Sequence, residues 1–441
     1  MGLMASFKRR GLAVVPFKVG PDFIDPGHHF RITGAVSRNL DDWMLTKAYN
    51  LECFQRAATG ADIAVVEGVM GLYDGYDGTG ETGSTASMAK LLQLPVVLVV
   101  DAASMARSAA ALVQGFENFD RELQFAGVIF NNLGSKGHLR YLTDALSGNV
   151  RMPCLGGILR NSRVAIPERH LGLVTEDEHV LTDDRISQLA DLIDRHVDVD
   201  RLFERLEDNK LETFPARAGT RERKVKIGVA RDKAFCFYYQ DNLDLLENAG
   251  AEIVLFSPVE DHRLPAGLGG IYLGGGYPEL FAEALSSNME MLHQLGKKSR
   301  QGLPIYAECG GFMYLCDSLT DLDGREFQMA GCFPFRTSMS KRLKALGYRE
   351  ITLSRDTIIG KKGLAIRGHE FHYSTTEEKP SSDIKTVYAV SKRASDEKLA
   401  GGFQVNQTLG SYNHLHFGSC PESADAFVKA CKRYRHERNR A

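Results

Sequence analysis

The chain has 441 residues, more than one hydrophobic core usually serves, so two domains are expected. Its 54 basic and 56 acidic residues leave a formal net charge of -2, without the basic excess of a nucleic-acid binder, and no apolar run approaches the roughly 18 residues of a membrane span. Eight scattered cysteines with no CxxC pair exclude a zinc ribbon and a disulfide framework, and the start MGLMASFKRRGLAVVPF has its charges in the wrong order for a signal peptide, so reduced thiols in a cytoplasmic protein are expected.

Residues 1–197 alternate strand and helix patterns. Leu12–Val19, Ile63–Glu67, Pro95–Asp101, Gly127–Asn131 and Cys154–Leu159 read as strands, with helical spacing between them at Ala86–Leu92 and Ser104–Phe116. This order predicts a parallel sheet flanked by helices. The charged stretch 198–224, with a short helix at its start and a Pro-, Gly- and Arg-containing tail, reads as a linker. A second α/β unit then occupies 225–441. Val225–Val229, Glu252–Phe256 and Gly270–Leu273 are its first strands, and Asn242–Ala249 is a helix stopped by Gly250.

Two charged clusters follow strands of the first unit. The run from Lys18 to His29 crowds a lysine, Asp22, Asp25 and two histidines into twelve residues. Lys18 is suited to a phosphate as a point charge, with a carboxylate such as Asp22 near Mg²⁺; the alternative is a solvated loop of charges. Glu67 ends the next strand, ahead of a glycine-containing loop that includes Asp74. That is a usual place for a Mg²⁺ ligand. Ser84 opens a helix whose N-terminus suits a carboxylate or phosphate, or the serine simply caps it. Asn131, at the end of another strand, is a candidate for adenine contact, with a turn-forming role as the alternative.

The second unit carries a nucleophile pattern. Leu303–Glu308 is β-prone, Phe312–Leu319 is apolar at helical spacing, and Cys309-Gly310-Gly311 joins them. A strand turning sharply into a helix through glycines displays its turn residue at the sheet edge. The helix N-terminus, beginning at Gly310, is expected to lower the thiol pKa and to bind an oxyanion. A thiolate there attacks a carboxamide carbon. The glycine run that includes Gly275 and Gly276 adds backbone N–H groups for the same oxyanion. The base is His414 or His416, two residues apart on one strand face.

IYLGGGYPEL, IYAECGGFMYL, GHEFHYS and SYNHLHF together resemble the triad-type glutamine amidotransferases, specifically the cobyrinic acid a,c-diamide synthase family. KVGPDFIDPGHH, VVEGVMGLYDG, GSTA, PVVLVVD and IPERHLGL (166–173) extend the resemblance over nearly the whole chain. It implies an α/β fold of two domains. The first is a P-loop NTPase-like, dethiobiotin synthetase-like parallel sheet; the second is a class I glutamine amidotransferase domain. It implies Cys309 as nucleophile, His414 as base with His416 as runner-up, and Asp22, Asp25, Glu67 and Asp74 in a Mg-ATP and corrinoid site.

The implied activity is a ligase reaction of cobalamin synthesis. Ammonia from glutamine amidates the a- and c-carboxylates of cobyrinic acid after ATP activates them. Hydrogenobyrinic acid or nickel sirohydrochlorin as substrate, a glutaminase or tetrapyrrole-binding protein with a dead ATP site, and an unrelated cysteine hydrolase are the competing readings. Expected partners are the small molecules cobyrinic acid, glutamine and ATP, with no nucleic acid or membrane, and a homodimer is the assembly to test. One departure stands out. The family opens on a strand and a GxxxxGKT/S-type phosphate loop, and Met1–Arg10 resembles the later part of the helix after it. The expectation is that roughly 20 residues are absent, through a start read too far downstream or a truncation that disables ATP use.

Overall fold

The computed structural model describes residues 1–160, 164, 166, 181–206, 224–377, 384–391 and 398–438. They form two compact units, Met1–Pro215 and Ala216–Ala441. The IPERHLGL string, apart from Ile166, and most of the expected linker lie outside the described residues.

The first unit runs α1 (Gly2–Arg9), β1 (Val14–Val19), α2 (Asp25–Thr33), β2 (Arg38–Leu40), α3 (Lys47–Ala58), β3 (Ile63–Glu67), α4 (Thr85–Leu92), β4 (Val96–Asp101), α5 (Ser108–Phe119), β5 (Phe125–Leu133), α6 (Lys136–Leu146), β6 (Cys154–Leu159), α7 (Asp183–His196) and α8 (Val199–Phe203). Its strands are all parallel, as the alternation predicts, but they form two three-stranded sheets, β2-β1-β3 and β4-β5-β6. Ile63 and Val65 of the first sheet join Val97, Ile129 and Leu155 of the second in one apolar cluster under α1 and α7. Ser6 and Arg9 of α1 bond Asp194 of α7, tying these helices together. The short helix expected at the start of the stretch 198–224 is α8, whose Val199 and Leu202 are buried in the same cluster. Register decides the chemistry here: β1 and β3 pair so that Lys18 lies directly opposite Glu67.

The second unit continues with β7 (Val225–Ala230), α9 (Gln240–Asn248), β8 (Ala251–Phe256), β9 (Gly270–Leu273), α10 (Ala282–Ser287), α11 (Met289–Arg300), β10 (Ile305–Glu308), α12 (Gly310–Leu315), β11 (Cys316–Thr320), β12 (Glu326–Gln328), β13 (Phe333–Met339), β14 (Ala345–Leu353), β15 (Ala365–His372), β16 (Ser374–Thr376), β17 (Lys385–Ser391), β18 (Lys398–Val405), β19 (Thr408–Ser411), β20 (Asn413–Leu415) and α13 (Glu422–Arg438). Ten strands make one sheet in the order β20-β15-β14-β17-β18-β19-β10-β9-β7-β8, and four more make β12-β11-β13-β16. β9 and β10 are buried along their whole length, between one apolar cluster that includes Phe312 and Phe333 and another that includes Tyr272 and Tyr306. Strands covered on both faces read as continuous apolar runs, which is why they are visible in the sequence.

The helix expected over Phe312–Leu319 ends at Leu315, and Cys316 starts β11. So few apolar residues fit either period, and here tertiary pairing with β12 and β13 decides. No helix among the described residues is long and apolar enough to cross a membrane.

Candidate active site

β10 runs parallel between β9 and β19, and Glu308 pairs with Ser411 at its last position. The Cys309 N–H then donates to the Ser411 carbonyl at 2.7 Å, continuing the ladder one residue past the strand. Cys309 itself adopts φ 45° and ψ -105°, a conformation that non-glycine residues rarely hold. α12 starts immediately behind it. Gly311 lets this turn close, because a β-carbon there would fall 2.4 Å from the Leu273 carbonyl oxygen. The Cys309 thiol lies 3.7 Å from the Phe371 carbonyl oxygen of β15 and is 7% exposed.

The expectation that the helix lowers the thiol pKa is not met. Burial pushes Cys309 well above the ordinary thiol range, and the Glu279, Glu370 and Glu308 carboxylates add to it. The Gly310 N–H acts in the opposite direction but is outweighed. A helix of six residues supplies little dipole against full burial. The resting site therefore holds a neutral thiol.

His414 lies on β20, paired with His369 of β15, and the two rings stack with centroids 4.8 Å apart. Burial pushes His414 down to about 3, with His372 adding and Glu370 opposing. The imidazole is therefore free to accept a proton, although the burial that keeps it neutral also weakens it as a base until charge develops beside it. The ring reaches the glycine run: a β-carbon on Gly275 would lie 2.3 Å from His414 Cε1. His416 is used differently. Its Nδ1 accepts the Gly418 N–H at 3.0 Å, and its ring packs 4.5 Å from that of Tyr239. Its geometry is that of a buried structural histidine.

The three expected oxyanion donors do not stand alike. The Gly275 N–H points to the Phe237 carbonyl at 3.3 Å, within a small two-residue bridge. Gly276 and Gly310 lie side by side, since a β-carbon on Gly310 would fall 3.2 Å from the Gly276 nitrogen. Gly275 is thus a spacer for the His414 ring. Its replacement by alanine forces that ring to move. Glutamine hydrolysis in Gly275→Ala is expected to fall about 10²-fold, the usual result of a misplacement near 1 Å, with unchanged circular dichroism. A wild-type rate would show that His414 is not the base.

In the first unit, Lys18 gathers three of the expected residues. Its ammonium, 3% exposed, lies 2.5 Å from Asp25, 3.2 Å from Glu67 and 3.6 Å from Asp22, and donates to the Gly68 carbonyl at 3.1 Å. Burial alone would depress Lys18, but Glu67, Asp22 and Asp25 push it above its ordinary value. Burial pushes Asp25 up to about 7, with Asp22 and Glu67 adding. Burial also works to raise Glu67, but the hydrogen bond with His29 and the charge of Lys18 work against it, and Glu67 is held below the carboxylate range. His29 is itself fixed between Glu67 at 2.9 Å and Ser37 at 3.0 Å. Its role was not visible in the sequence, where it is one of two adjacent histidines.

Without a nucleotide, the Lys18 ammonium expected to meet phosphate is paired with these carboxylates. The pairing bears on Mg²⁺ as well. Glu67 and Asp22, the expected metal ligands, face an ammonium, and among the described residues no group of three His, Cys, Asp or Glu side chains is arranged to hold a metal ion. Glu67 and Asp22 are still the carboxylates that would hold a Mg²⁺ arriving with a nucleotide, since such an ion takes only one or two protein carboxylates beside phosphates and water.

The other expected contacts lie apart from this cluster. Asp74 closes its own turn by accepting the Gly71 N–H at 3.0 Å. Ser84 caps α4, accepting the Ser87 N–H at 3.0 Å. The N-terminus of α4 already faces a carboxylate, since Asp42 accepts the Gly83 N–H at 2.5 Å and bonds the Ser87 hydroxyl. Asn131 ends a β5 segment paired with Asp101, and its carbonyl accepts the Ala102 N–H; the left-handed turn residue is its neighbour Asn132.

Comparison with known proteins agrees with both halves. Residues 226–421 match the CobB/CobQ-like glutamine amidotransferase domain, and residues 1–174 match the CobQ/CobB/MinD/ParA nucleotide binding domain. A cobyrinate a,c-diamide synthase from Syntrophotalea carbinolica is 44% identical over 437 residues, covering 98% of this chain and 95% of that protein. One from Listeria innocua is 43% identical over 427 residues, covering 96% and 93%. Among solved structures, a glutamine amidotransferase from Thermotoga maritima matches 49% of this chain and 86% of its own at 13% identity and a TM-score of 0.32. With identity at this level along almost the full length of both chains, and with both domains matched, the chain belongs to the cobyrinate a,c-diamide synthase family.

Proposed function

We propose that this chain converts the a- and c-acetate carboxylates of cobyrinate to carboxamides, with glutamine as nitrogen donor and ATP as co-substrate. The observation that carries the glutamine half is the elbow itself. It is a cysteine held at positive φ past the end of β10, beside a glycine run that accommodates a neutral, buried histidine.

The chemistry follows from the residues. The Cys309 thiol is neutral, so its proton must leave as sulfur attacks the carboxamide carbon of glutamine. His414 takes that proton. The tetrahedral oxyanion is held by the N–H groups of Gly276 and Gly310, which a preorganised site does at little reorganisation cost. His414 returns the proton to the departing ammonia, and water then hydrolyses the thioester to glutamate. In the first unit, ATP is needed because a carboxylate is a poor electrophile with a poor leaving group. Phosphorylation supplies phosphate as the group that ammonia displaces. Lys18, Asp22, Asp25 and Glu67 are the part of the proposed ATP and substrate site that comes together. Asp74, Ser84 and Asn131 belong to the proposal on the resemblance alone, and no step is routed through a metal.

The test uses glutamine labelled with ¹⁵N in its amide, with cobyrinate and Mg-ATP. Mass spectrometry is expected to find two labelled amide nitrogens in the product and ADP formed alongside. Labelled ammonia without labelled corrinoid or ADP would overturn the synthase reading and leave a glutaminase. Faster labelling of hydrogenobyrinate or nickel sirohydrochlorin would reassign the substrate.

A further inference from the structure

One buried carboxylate is not used by the mechanism above. Glu308 ends β10, directly before Cys309, and is 1% exposed. Its Oε1 accepts the Tyr306 hydroxyl at 2.6 Å and the Leu415 N–H at 2.8 Å; its Oε2 accepts the Tyr272 hydroxyl at 2.8 Å. Leu415 is the residue after His414. An acid this deep is expensive to bury unless each oxygen is satisfied, and here the donors converge on it.

A second buried side chain holds the same segment from another element. Asn242 of α9 donates to the Leu415 carbonyl at 2.7 Å and accepts the Phe417 N–H at 2.7 Å. Both backbone groups of Leu415 are therefore gripped by side chains, one from the nucleophile strand and one from α9. On its other side, the segment meets β15 closely: a β-carbon on Gly368 would fall 1.9 Å from the His414 carbonyl oxygen. Isolated packing would not need a charged group here. A backbone strand of three residues, carrying a ring that must stay in place, does need fixing.

We propose that Glu308 and Asn242 are positioning residues for glutamine hydrolysis, locking the His414 segment to the strand that presents Cys309. Neither touches the substrate on this reading. Glu308 links the base to the nucleophile through the Leu415 N–H, and Asn242 closes the same clamp at the Leu415 carbonyl. Burial pushes the Glu308 carboxyl up to about 7, while the hydrogen bonds from Tyr306, Leu415 and Tyr272 oppose the rise and favour the acceptor form. Glutamine in its place is nearly isosteric but uncharged: its NH₂ can turn to the Tyr272 hydroxyl oxygen, while the bonds from Tyr306 and Leu415 lose the carboxylate charge that strengthens them.

The inference rests on Cys309 and His414 as nucleophile and base, and the experiment separates the two. Glutamine hydrolysis is measured for the full chain in wild type, Glu308→Gln, Asn242→Asp, Tyr272→Phe and Cys309→Ala, with thermal melting of each. In folded Glu308→Gln, kcat is expected to fall about 10- to 100-fold with KM for glutamine unchanged, because the ring shifts while the glutamine pocket stays. Asn242→Asp turns an oxygen toward the Leu415 carbonyl and lowers kcat in the same way. Tyr272→Phe removes a donor to the other carboxylate oxygen and the acceptor of a 3.5 Å bond from the Asn242 NH₂, spares both Leu415 bonds, and is expected to lower stability more than kcat. A merely structural role would lower stability in all three and leave the kcat of the folded enzyme alone. Wild-type kcat in Glu308→Gln overturns the proposal; if that variant does not fold, wild-type kcat in Asn242→Asp overturns it. Persistent hydrolysis by Cys309→Ala overturns the underlying assignment as well, whereas an inert Cys309→Ala beside a fully active Glu308→Gln overturns the positioning role alone.

Discussion

With Cys309 replaced by alanine, glutamine hydrolysis is expected to fall by about 10⁴-fold or more, the scale seen when a covalent nucleophile is removed. Ammonia added directly is expected to restore amide formation to the wild-type kcat. The reason is local. Cys309 meets Ser411, Gly310 and Phe371, all within the second unit, while the carboxylates around Lys18 belong to the first. Coupled assays of glutamate and of corrinoid amide separate the outcomes. Loss of the ammonia-dependent reaction in Cys309→Ala would mean that the split of roles between the units is wrong.

The second large effect concerns the histidines. His414→Ala is expected to lower the kcat for glutamine hydrolysis by about 10²- to 10⁴-fold, the range for a lost general base. His416→Ala is expected to act on stability instead, because His416 caps the Gly418 N–H and packs on Tyr239. An unsatisfied buried donor there costs about 1–3 kcal/mol. Steady-state kinetics beside thermal melting distinguish the two, and the reverse pattern would exchange their roles. The pH dependence has a definite sign. Burial holds His414 near 3 and His416 near 4 in the folded chain. Unfolded histidines take up protons below about 6.5, so folding stability is complete above that pH and declines as pH falls toward the folded values.

How far the sequence reaches depends on burial. β3, β9 and β10 are short apolar runs, and each appears where the residues predict it. The strands between Glu326 and Val405 were not visible. β14, for example, buries Arg349 and exposes Leu346, so its alternation of buried positions does not match an alternation of apolar residues. Cys309 was legible because a strand, a cysteine and two glycines have few other uses. The Lys18 cage was not, because it depends on the register between β1 and β3, which is tertiary. Ser84 shows the opposite case: the plain capping role suggested by its position is the one its hydroxyl performs. Glu308 gave a faint signal, as the one acid in the otherwise apolar IYAECGG, but its partners at Tyr272 and Leu415 lie 36 and 107 residues away.

The burial of Cys309 has a consequence for the lifetime of the protein. Peroxide oxidises thiolates far faster than thiols, and only where it can reach the sulfur. A thiol that is neutral and almost fully covered at rest is protected on both counts. Sensitivity at this position is then expected to rise only while the thiol proton is leaving, as glutamine is being cut. Inactivation by peroxide is accordingly expected to be slower in the idle enzyme than during turnover, which residual activity after timed exposure with and without glutamine checks.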